Sequence, residues 1–460
     1  MLHLRQTCQE LQIRTGGSYT GDIFPCRQPI EHQDEIDYST ILFLNPAQLL
    51  HAQFPRPNGP PSIAPQVLDV LGSLDDIRQL STAFFQHIHP RMPFISKTRF
   101  YDIYLRPSFR FSPDVVLLFL SLKLITTLPP DGSGSPRSSL YYTTKHLYVD
   151  AEECFSLPVL QAGILLVLYE LGHGLYPASF TSIGTCARYA HALGINVSRM
   201  VPKGELLTLV EVEERRRAWW AIVILDRFVS IGCPGRPFAT ADPNLEDLLP
   251  VDDAAWDEGI VNLDEMCTLS SPRPGHMSKF ALLCQASRLL GHVLQHLSSE
   301  TTSEDDDWMQ IDRNLQSMLA AALEIDGPDH DQITFIYSTL VALHTSWLSP
   351  QRAGESKGEC PRRQRATEAV QQISDQMQSN LIGRQCFLDR DPEDMSPWGL
   401  YFAYRICAVL MQSKNNTGLP HRDALLKALW ESFKTIKKRW SVAGVYLQLL
   451  DAQQAMNLRT

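Results

Sequence analysis

Two pairs of histidines have a spacing that could support metal binding. His292 and His296 lie one helical turn apart, and His87 and His89 come just before Pro90. A zinc-protease helix also needs a glutamate beside its first histidine, and that glutamate is missing here. We therefore expect the first pair to lie on the polar face of a helix and the second pair to take part in packing.

A run of three carboxylates, Asp305 to Asp307, is a candidate site for a divalent cation. Adjacent carboxylates suit Mg²⁺, the ion that holds diphosphate in all-α enzymes of the terpene-cyclase kind. The run lies among Ser, Thr and Glu residues, and no flanking apolar pocket or second acidic motif at helical spacing accompanies it. The pattern is more typical of a solvated acidic loop, which we predict here.

The cysteines and glycine-rich turns do not supply a reactive site either. The chain has ten cysteines and no Cys-x-x-Cys, so we interpret them as reduced, mostly buried thiols. The segment Gly16 to Gly21 misses the nucleophile-elbow pattern, and Gly132 to Ser135 lacks the lysine of a phosphate cradle. The sequence predicts no catalytic residue, no cofactor and no metal site.

Length and charge restrict the class of protein. The 460 residues allow roughly three quarters of the unfolded surface to be buried, which is enough for a large core. A net charge of −10 disfavours a surface built as a whole to bind phosphate, because such binding comes from clustered Lys and Arg. The apolar run Val115 to Leu128 is broken by Lys123 and is too short for a bilayer, and no targeting segment is expected at the amino end.

The stretch from Glu211 to Asp242 is the element around which we expect the rest to be organised. Its first half is polar and its second half has no polar face, so the predicted helix enters a core along its length. Glycines and prolines between Gly232 and Pro237 end it. Asp226 lies in the apolar half and needs a cationic or backbone partner, for which Arg236 is the predicted candidate.

Periodic apolar residues elsewhere predict further helices, with an irregular strap from Asp242 to Trp256. No alternating strand pattern is visible. The fold class predicted is therefore all-α, a multi-helix, bundle-like domain with irregular straps. The predicted helices begin at Leu74 and then cover Val115 to Thr127, Leu140 to Phe155, Pro158 to Gly172, Phe180 to Leu193, Met277 to Leu297, Asp312 to Glu324, Thr334 to Trp347, Arg365 to Asn380, Trp398 to Gln412, Asp423 to Lys438 and Ala443 to Met456.

Three regions follow from this pattern. Residues 1–73 are predicted to be a linker-like, partly disordered segment, because prolines such as those of Pro55 to Pro61 forbid a helix. Residues 74–350 are predicted to be the main helical domain. Residues 351–460 are predicted to be a carboxyl-terminal helical part packed on that domain.

The order of residues in the central stretch resembles the fungal-specific transcription factor domain, the middle homology region of fungal binuclear zinc-cluster regulators. The resemblance covers residues 74–350 and is sharpest in a run of arginines, an aromatic pair, Asp-Arg and Gly-Arg-Pro. The matching residues, to which the resemblance assigns a structural role, are Arg215, Arg216, Arg217, Trp219, Trp220, Asp226, Arg227, Gly235, Arg236 and Pro237. We expect the three arginines to pair with nearby glutamates or with neighbouring helices, and each such pair is worth only tenths of a kcal/mol when it is exposed.

The resemblance implies a nuclear regulator of RNA polymerase II transcription, not an enzyme, acting on genes such as a secondary-metabolite or catabolic cluster. Its implied partners are the transcription machinery or other regulators, with a homodimer as one allowed assembly and no membrane. The family's zinc-cluster module lies amino-terminal to such a domain, and Cys8 and Cys26 do not supply its six thiolates. We therefore expect contact with DNA only indirectly, or through a missing amino-terminal module.

Two alternatives stay open. One is a partner or truncated regulator that acts by protein interaction without touching DNA, and the other is an all-α enzyme of secondary metabolism. Short basic runs at Pro361 to Arg365 and Lys434 to Arg439 are weak candidates for nuclear-import signals.

Overall fold

The structure is a computed structural model that describes residues 65–457, with internal gaps. The gaps are 107, 109–110, 129–134, 152–154, 196–206, 263–265, 272–277, 300–304, 325–329, 346–365, 367, 370, 374, 376–391 and 413–421. All of the described residues belong to one compact unit.

The described elements are helices. Those of five or more residues are α1 (Pro65–Leu71), α2 (Leu74–His87), α3 (Pro113–Thr126), α4 (Ser139–Asp150), α5 (Leu157–Gly172), α6 (Ala178–Ala192), α7 (Leu209–Val229), α8 (Asp253–Asp257), α9 (Lys279–Ser298), α10 (Asp305–Glu324), α11 (His330–Thr345), α12 (Pro397–Gln412), α13 (Arg422–Ile436) and α14 (Val442–Asn457), together with a π-helical turn at Phe100–Tyr104. Among the described residues no strand occurs, and one isolated bridge joins Leu248 to Thr268. The predicted all-α class is confirmed.

Local sequence explains where these helices begin. Ser73 and Thr208 each start a capping box, in which the hydroxyl accepts from the third helical N–H and the acid there bonds back. Pro113 occupies the first position of α3, where its missing N–H costs nothing. Most predicted bounds are therefore within a few residues of the observed ones.

Three predicted irregular segments are partly helical. The strap predicted from Asp242 to Trp256 ends in α8 (Asp253–Asp257). Residues 65–71 form α1 inside the region predicted to be a linker, while residues 1–64 lie outside the described part. The acidic run Asp305 to Asp307 was predicted to be a loop, and this was wrong, because it is the first turn of α10. Carboxylates are stabilised at that end of a helix by its dipole.

Helix α7 lies in the middle of the packing. It contacts α5 and α6 on one side and α9 on the other, and the contacts continue from α9 to α11, α12 and α14. From Ala218 to Val229 every residue of α7 is buried. The change from a polar to an apolar half in the sequence therefore corresponds to a helix that enters the core.

The carboxyl-terminal helices meet the earlier ones through a tryptophan. The indole of Trp440 is buried against Gly172, where a Cβ would overlap the ring. Trp440 Nε1 also donates to the carbonyl of Met395 at 2.9 Å. Next to it, the buried Arg439 donates to Glu393 and to the carbonyl of Ile125 at the end of α3. The division of the chain at residue 350 stays a prediction.

Candidate regulatory site on the central helix

Helix α7 carries charged residues into the core, and each of them needs a partner there. They form two groups, one toward each end of the helix. We call Glu213, Arg216, Arg217 and Asp253 the amino-terminal cluster, and Asp226, Arg227, Thr240 and Asp242 the carboxyl-terminal cluster.

In the amino-terminal cluster one buried carboxylate serves two arginines. Glu213 Oε1 accepts from Arg217 Nε at 2.9 Å, and its Oε2 accepts from Arg216 Nη1. Arg217 Nη1 also donates to Asp253 Oδ1 at 2.9 Å. The predicted pairing with a nearby glutamate is observed for Arg216 and Arg217. Because both are buried, the small energy of an exposed pair does not apply to them.

Arg217 also holds chain segments that come from elsewhere. Its guanidinium donates to the carbonyls of Pro93 at 3.2 Å and Val251 at 2.7 Å. The rings of Trp256 and Phe280 lie 4.8 and 5.6 Å from the guanidinium carbon. One side chain thus fixes the segment after α2, the strap and the start of α9 to α7.

Glu214 fixes the same end of α7 to α5. Its Oε1 accepts from the backbone N–H of Ser96 at 2.8 Å and from Gln161 Nε2 at 2.9 Å. Arg99 Nε lies 3.1 Å from its other oxygen. Burial raises the pKa of Glu214, although Arg99 and the two hydrogen bonds act against that rise.

In the carboxyl-terminal cluster Asp226 is paired with its neighbour in sequence. Asp226 Oδ2 accepts from Arg227 Nη1, from the Thr240 hydroxyl (both at 2.8 Å) and from the Thr240 N–H at 2.9 Å. Its Oδ1 accepts from the N–H of Ala239 at 3.1 Å. The predicted pairing of Asp226 with Arg236 is therefore wrong.

The guanidinium of Arg227 holds the start of the strap against this end of α7. It donates to the carbonyls of Thr240 and Ala241 and to Asp242 Oδ1 at 3.2 Å, and it lies 4.0 Å from the ring centre of Phe238. A Cβ at Gly291 would lie 2.9 Å from Arg227 Nε, so the glycine makes room for it on α9. Burial lowers the pKa of Arg227, and Asp226 and Asp242 act against that effect.

The rest of the predicted signature lies around these clusters. Trp220 is buried and donates to the carbonyl of Leu248 at 2.9 Å, and Trp219 packs edge-on against His191. Arg215 is half-buried and reaches the carbonyl of Leu193. Gly235, Arg236 and Pro237 form an exposed turn in which Gly235 has φ +93°, a value that favours glycine.

The structure also places the other candidate residues. His89 is buried, as its predicted packing role requires, and its Nε2 lies 2.9 Å from Asp257 Oδ1. His292 lies 3.8 Å from Asp242. Within the described ranges no group of three or more His, Cys, Asp or Glu side chains could hold a metal ion, and no helix could span a membrane. Cys8 and Cys26 lie outside those ranges.

The two basic runs differ in what the structure describes. Pro361 to Arg365 lies outside the described residues. In the second run Lys434 is exposed on α13 and pairs with Glu431, whereas Arg439 is buried. An import receptor could not reach Arg439 in this fold.

Sequence reasoning missed a third buried polar group. Glu170 on α5 accepts from Tyr141 at 2.9 Å, from Lys145 at 2.8 Å and from Ser182 at 2.6 Å. The signal was an acid inside the otherwise apolar run Ala162 to Leu171. Such an acid needs partners from neighbouring helices, here α4 and α6.

Comparison with known proteins agrees with the family resemblance found in the sequence. The family described as fungal specific transcription factor domain matches residues 82–322. Transcription factor BOA15 of Botryotinia fuckeliana is 35% identical over 153 residues, which are 32% of this chain and 84% of that protein. The arabinolytic transcriptional activator araR of Emericella nidulans is 49% identical over 89 residues, 18% of this chain and 11% of araR.

A coactivator is among the similar proteins. The notoamide biosynthesis cluster transcriptional coactivator notQ′ of Aspergillus versicolor is 29% identical over 141 residues, which are 27% of this chain and 28% of notQ′. The match thus spans most of BOA15 but less than a third of araR and of notQ′.

Proposed function

This chain belongs to the fungal specific transcription factor domain family, and on that premise we propose that it regulates RNA polymerase II transcription of a secondary-metabolite or catabolic gene cluster in the nucleus. The observation that carries the proposal is the family match over residues 82–322. Similar proteins named for the notoamide cluster and for arabinose breakdown support the choice of target genes. Family membership favours this role over that of an all-α enzyme.

The signature residues have a structural role in this proposal. The two clusters hold the strap from Asp242 to Trp256, and the turn before it, against α7 through buried charges. Removing one partner of such a group leaves a charge without compensation, so the arrangement favours one conformation of the domain. A domain that responds to an effector or partner needs a defined resting state of this kind.

DNA contact and partners complete the proposal. A net charge of −10 supports contact with DNA that is indirect or made through an amino-terminal zinc-cluster module, and the direct partners are the transcription machinery or other regulators. The three regions 1–73, 74–350 and 351–460 are proposed as linker, regulatory domain and a helical part of that domain. The burial of Trp440 against Gly172 supports the last assignment.

A second candidate function is a coactivator that works through protein contacts alone. The similarity to the coactivator notQ′ favours it. In that role the chain would act at promoters to which another protein brings it.

The test is a deletion of the gene in its own fungus, followed by RNA sequencing and by imaging of a fluorescent fusion. We expect the transcripts of one contiguous block of genes to change together, and the full-length fusion to return them to normal and to lie in the nucleus. Scattered changes, or a fusion excluded from the nucleus, would contradict the proposal. Chromatin immunoprecipitation in a strain that lacks other regulators of the block separates the two candidates, since a coactivator loses its promoter signal there.

A further inference from the structure

The guanidinium of Arg236 is available for binding a ligand or partner. The other arginines of the central stretch are buried or paired. It is exposed, and among the described residues it makes no hydrogen bond or ion pair. Its guanidinium carbon lies 5.5 Å from the ring centre of Phe180 on α6. A guanidinium stacked on a ring keeps its N–H groups available at the edge, and Pro237 restricts the backbone of Arg236 before it.

An exposed tyrosine connects Arg236 with the last helix. Tyr176 is 43% exposed. Burial of the covered part of its side chain raises its pKa to about 12, and the nearby charge of Arg236 acts against that rise. The adjacent Gly174 lies against α14, since a Cβ there would be 3.4 Å from Cγ2 of Val442 and of Val445.

Helix α14 continues this surface with apolar side chains that face solvent. Val445, Leu449 and Met456 are 39%, 47% and 62% exposed. Spacings of four and seven residues place them on one face, opposite the buried Ala443 and Leu450. A helix that is apolar on both sides is typical of one that is covered on both sides.

These residues form one surface with a charge at one end. We call it the Arg236 strip: Arg236, Phe180, Tyr176, Val445, Leu449 and Met456. None of its members carries a carboxylate, so a second copy of the chain placed on it by two-fold symmetry would bring no opposite charge to Arg236. An amphipathic helix with an acidic residue near one end supplies both the charge and the apolar face.

We propose that the Arg236 strip binds an amphipathic, acidic helical segment of another protein, whose carboxylate pairs with Arg236 and whose apolar side chains cover α14. This surface goes beyond the proposed function. Its test uses the purified chain, so it can fail while the transcript result stands.

The experiment is a selection from a random library of displayed peptides of about 16 residues, long enough for four helical turns. The bait is the full 460-residue chain, with counter-selection on Leu449→Lys. We expect the enriched peptides to combine an acidic residue near one end with apolar residues at helical spacing. No enrichment over Leu449→Lys, or enrichment of basic or uncharged peptides, would overturn the proposal.

A charge exchange then tests the role of Arg236. We expect the enriched peptide to bind Arg236→Glu about tenfold more weakly than the wild-type chain. Replacing the peptide's acidic residue by lysine should restore binding to Arg236→Glu. The matched control is Arg313→Glu on α10, an exposed arginine that bonds to the carbonyl of Met309 in its own helix and should leave binding unchanged.

Two outcomes of the exchange count against the proposal. Equal binding of the acidic peptide to the wild-type chain and to Arg236→Glu would show that Arg236 makes no charge contact with the peptide. A wild-type dimer in sedimentation that Leu449→Lys dissociates would assign the surface to a second copy of the chain. The replaced side chains are exposed, and an unchanged thermal midpoint of each variant will show that it is folded.

Discussion

Asp226 and Arg227 show that the type of a buried charged residue does not predict which residue pairs with it. The acid was predicted to need a cation, and it has one in the next residue. Two bonds from Thr240, fourteen positions along the chain, complete the set. The sequence indicates the need for a partner, because burial of a charge is costly, but the path of the following turn decides which residue meets it.

We expect Arg227→Met to lower the free energy of unfolding by about 3 to 5 kcal/mol, because it leaves the buried carboxylate of Asp226 without its guanidinium. Adding Asp226→Asn should recover part of that loss. Urea unfolding of the two single variants and the double variant measures the coupling between them.

The control for this cycle is Arg236→Ala, an exposed change that should cost no more than about 0.5 kcal/mol. Its effect should add to that of Asp226→Asn without coupling. Coupling between positions 226 and 236, with none between 226 and 227, would show that our assignment of the pair is incorrect.

His173 gives a prediction of pH dependence at the same scale. It is buried, and its Nδ1 lies 3.0 Å from the hydroxyl of Ser441. Burial lowers its pKa from 6.5 to about 3, and Arg439 adds to the effect. Between these values the unfolded chain binds a proton that the folded chain does not, so this contribution to stability is complete above pH 6.5 and is lost as the pH falls.

The expected slope from this one group is up to about 1.4 kcal/mol per pH unit. His173→Phe removes the titration. We therefore expect the wild type to lose stability relative to the variant as the pH falls from 7 to 5. Unfolding curves in urea at several pH values measure it. A difference that stays constant over that range would mean that His173 is protonated equally in both states.

At the scale of elements, helix bounds could be predicted well where a cap fixes them. Pro113 and the Ser156-Leu157-Pro158 sequence favour a helix start through local geometry alone, since a proline without its N–H fits the first turn. The start of α10 was missed because its acidic run is equally typical of a solvated loop. The close contact of Gly172 at the end of α5 with Trp440, which lies between α13 and α14, joins segments far apart in the sequence, and no local pattern indicates it.

Gly172→Ala tests that contact. The added methyl group would overlap the Trp440 ring, so we expect a loss of about 1 to 3 kcal/mol. The matched control is Gly184→Ala on α6, where no atom lies within 4 Å of the new Cβ, and where alanine should stabilise the helix by about 0.5 to 1 kcal/mol.

A second change makes the result specific for the contact. Combining Gly172→Ala with Trp440→Leu should cost less than the sum of the two single changes, because the smaller side chain leaves room for the methyl group. Thermal midpoints of the five proteins measure these effects. Strict additivity would indicate that the alanine acts somewhere other than on the indole.

For the whole molecule, the prediction concerns DNA and zinc. The chain has a net charge of −10 and no Cys-x-x-Cys, so we expect the purified 460 residues to bind DNA only weakly and without sequence preference. Metal analysis should find far less than one zinc per chain, and selection from genomic fragments at physiological salt should return no shared motif. Recovery of such a motif would show that the chain reads DNA by itself.

The burial of Trp440 in the space left by the missing Cβ of Gly172 has a consequence for folding during synthesis. His173 and its partner Ser441 are 268 residues apart, and at roughly 5 to 20 residues per second a ribosome needs about 13 to 54 seconds to pass from one to the other. Until Trp440 is made, the surface at Gly172 stays uncovered, so we expect the nascent chain to need chaperones. A premature stop codon between the codons for Gly172 and Trp440 leaves that surface uncovered permanently, and we expect such alleles to be lost by degradation.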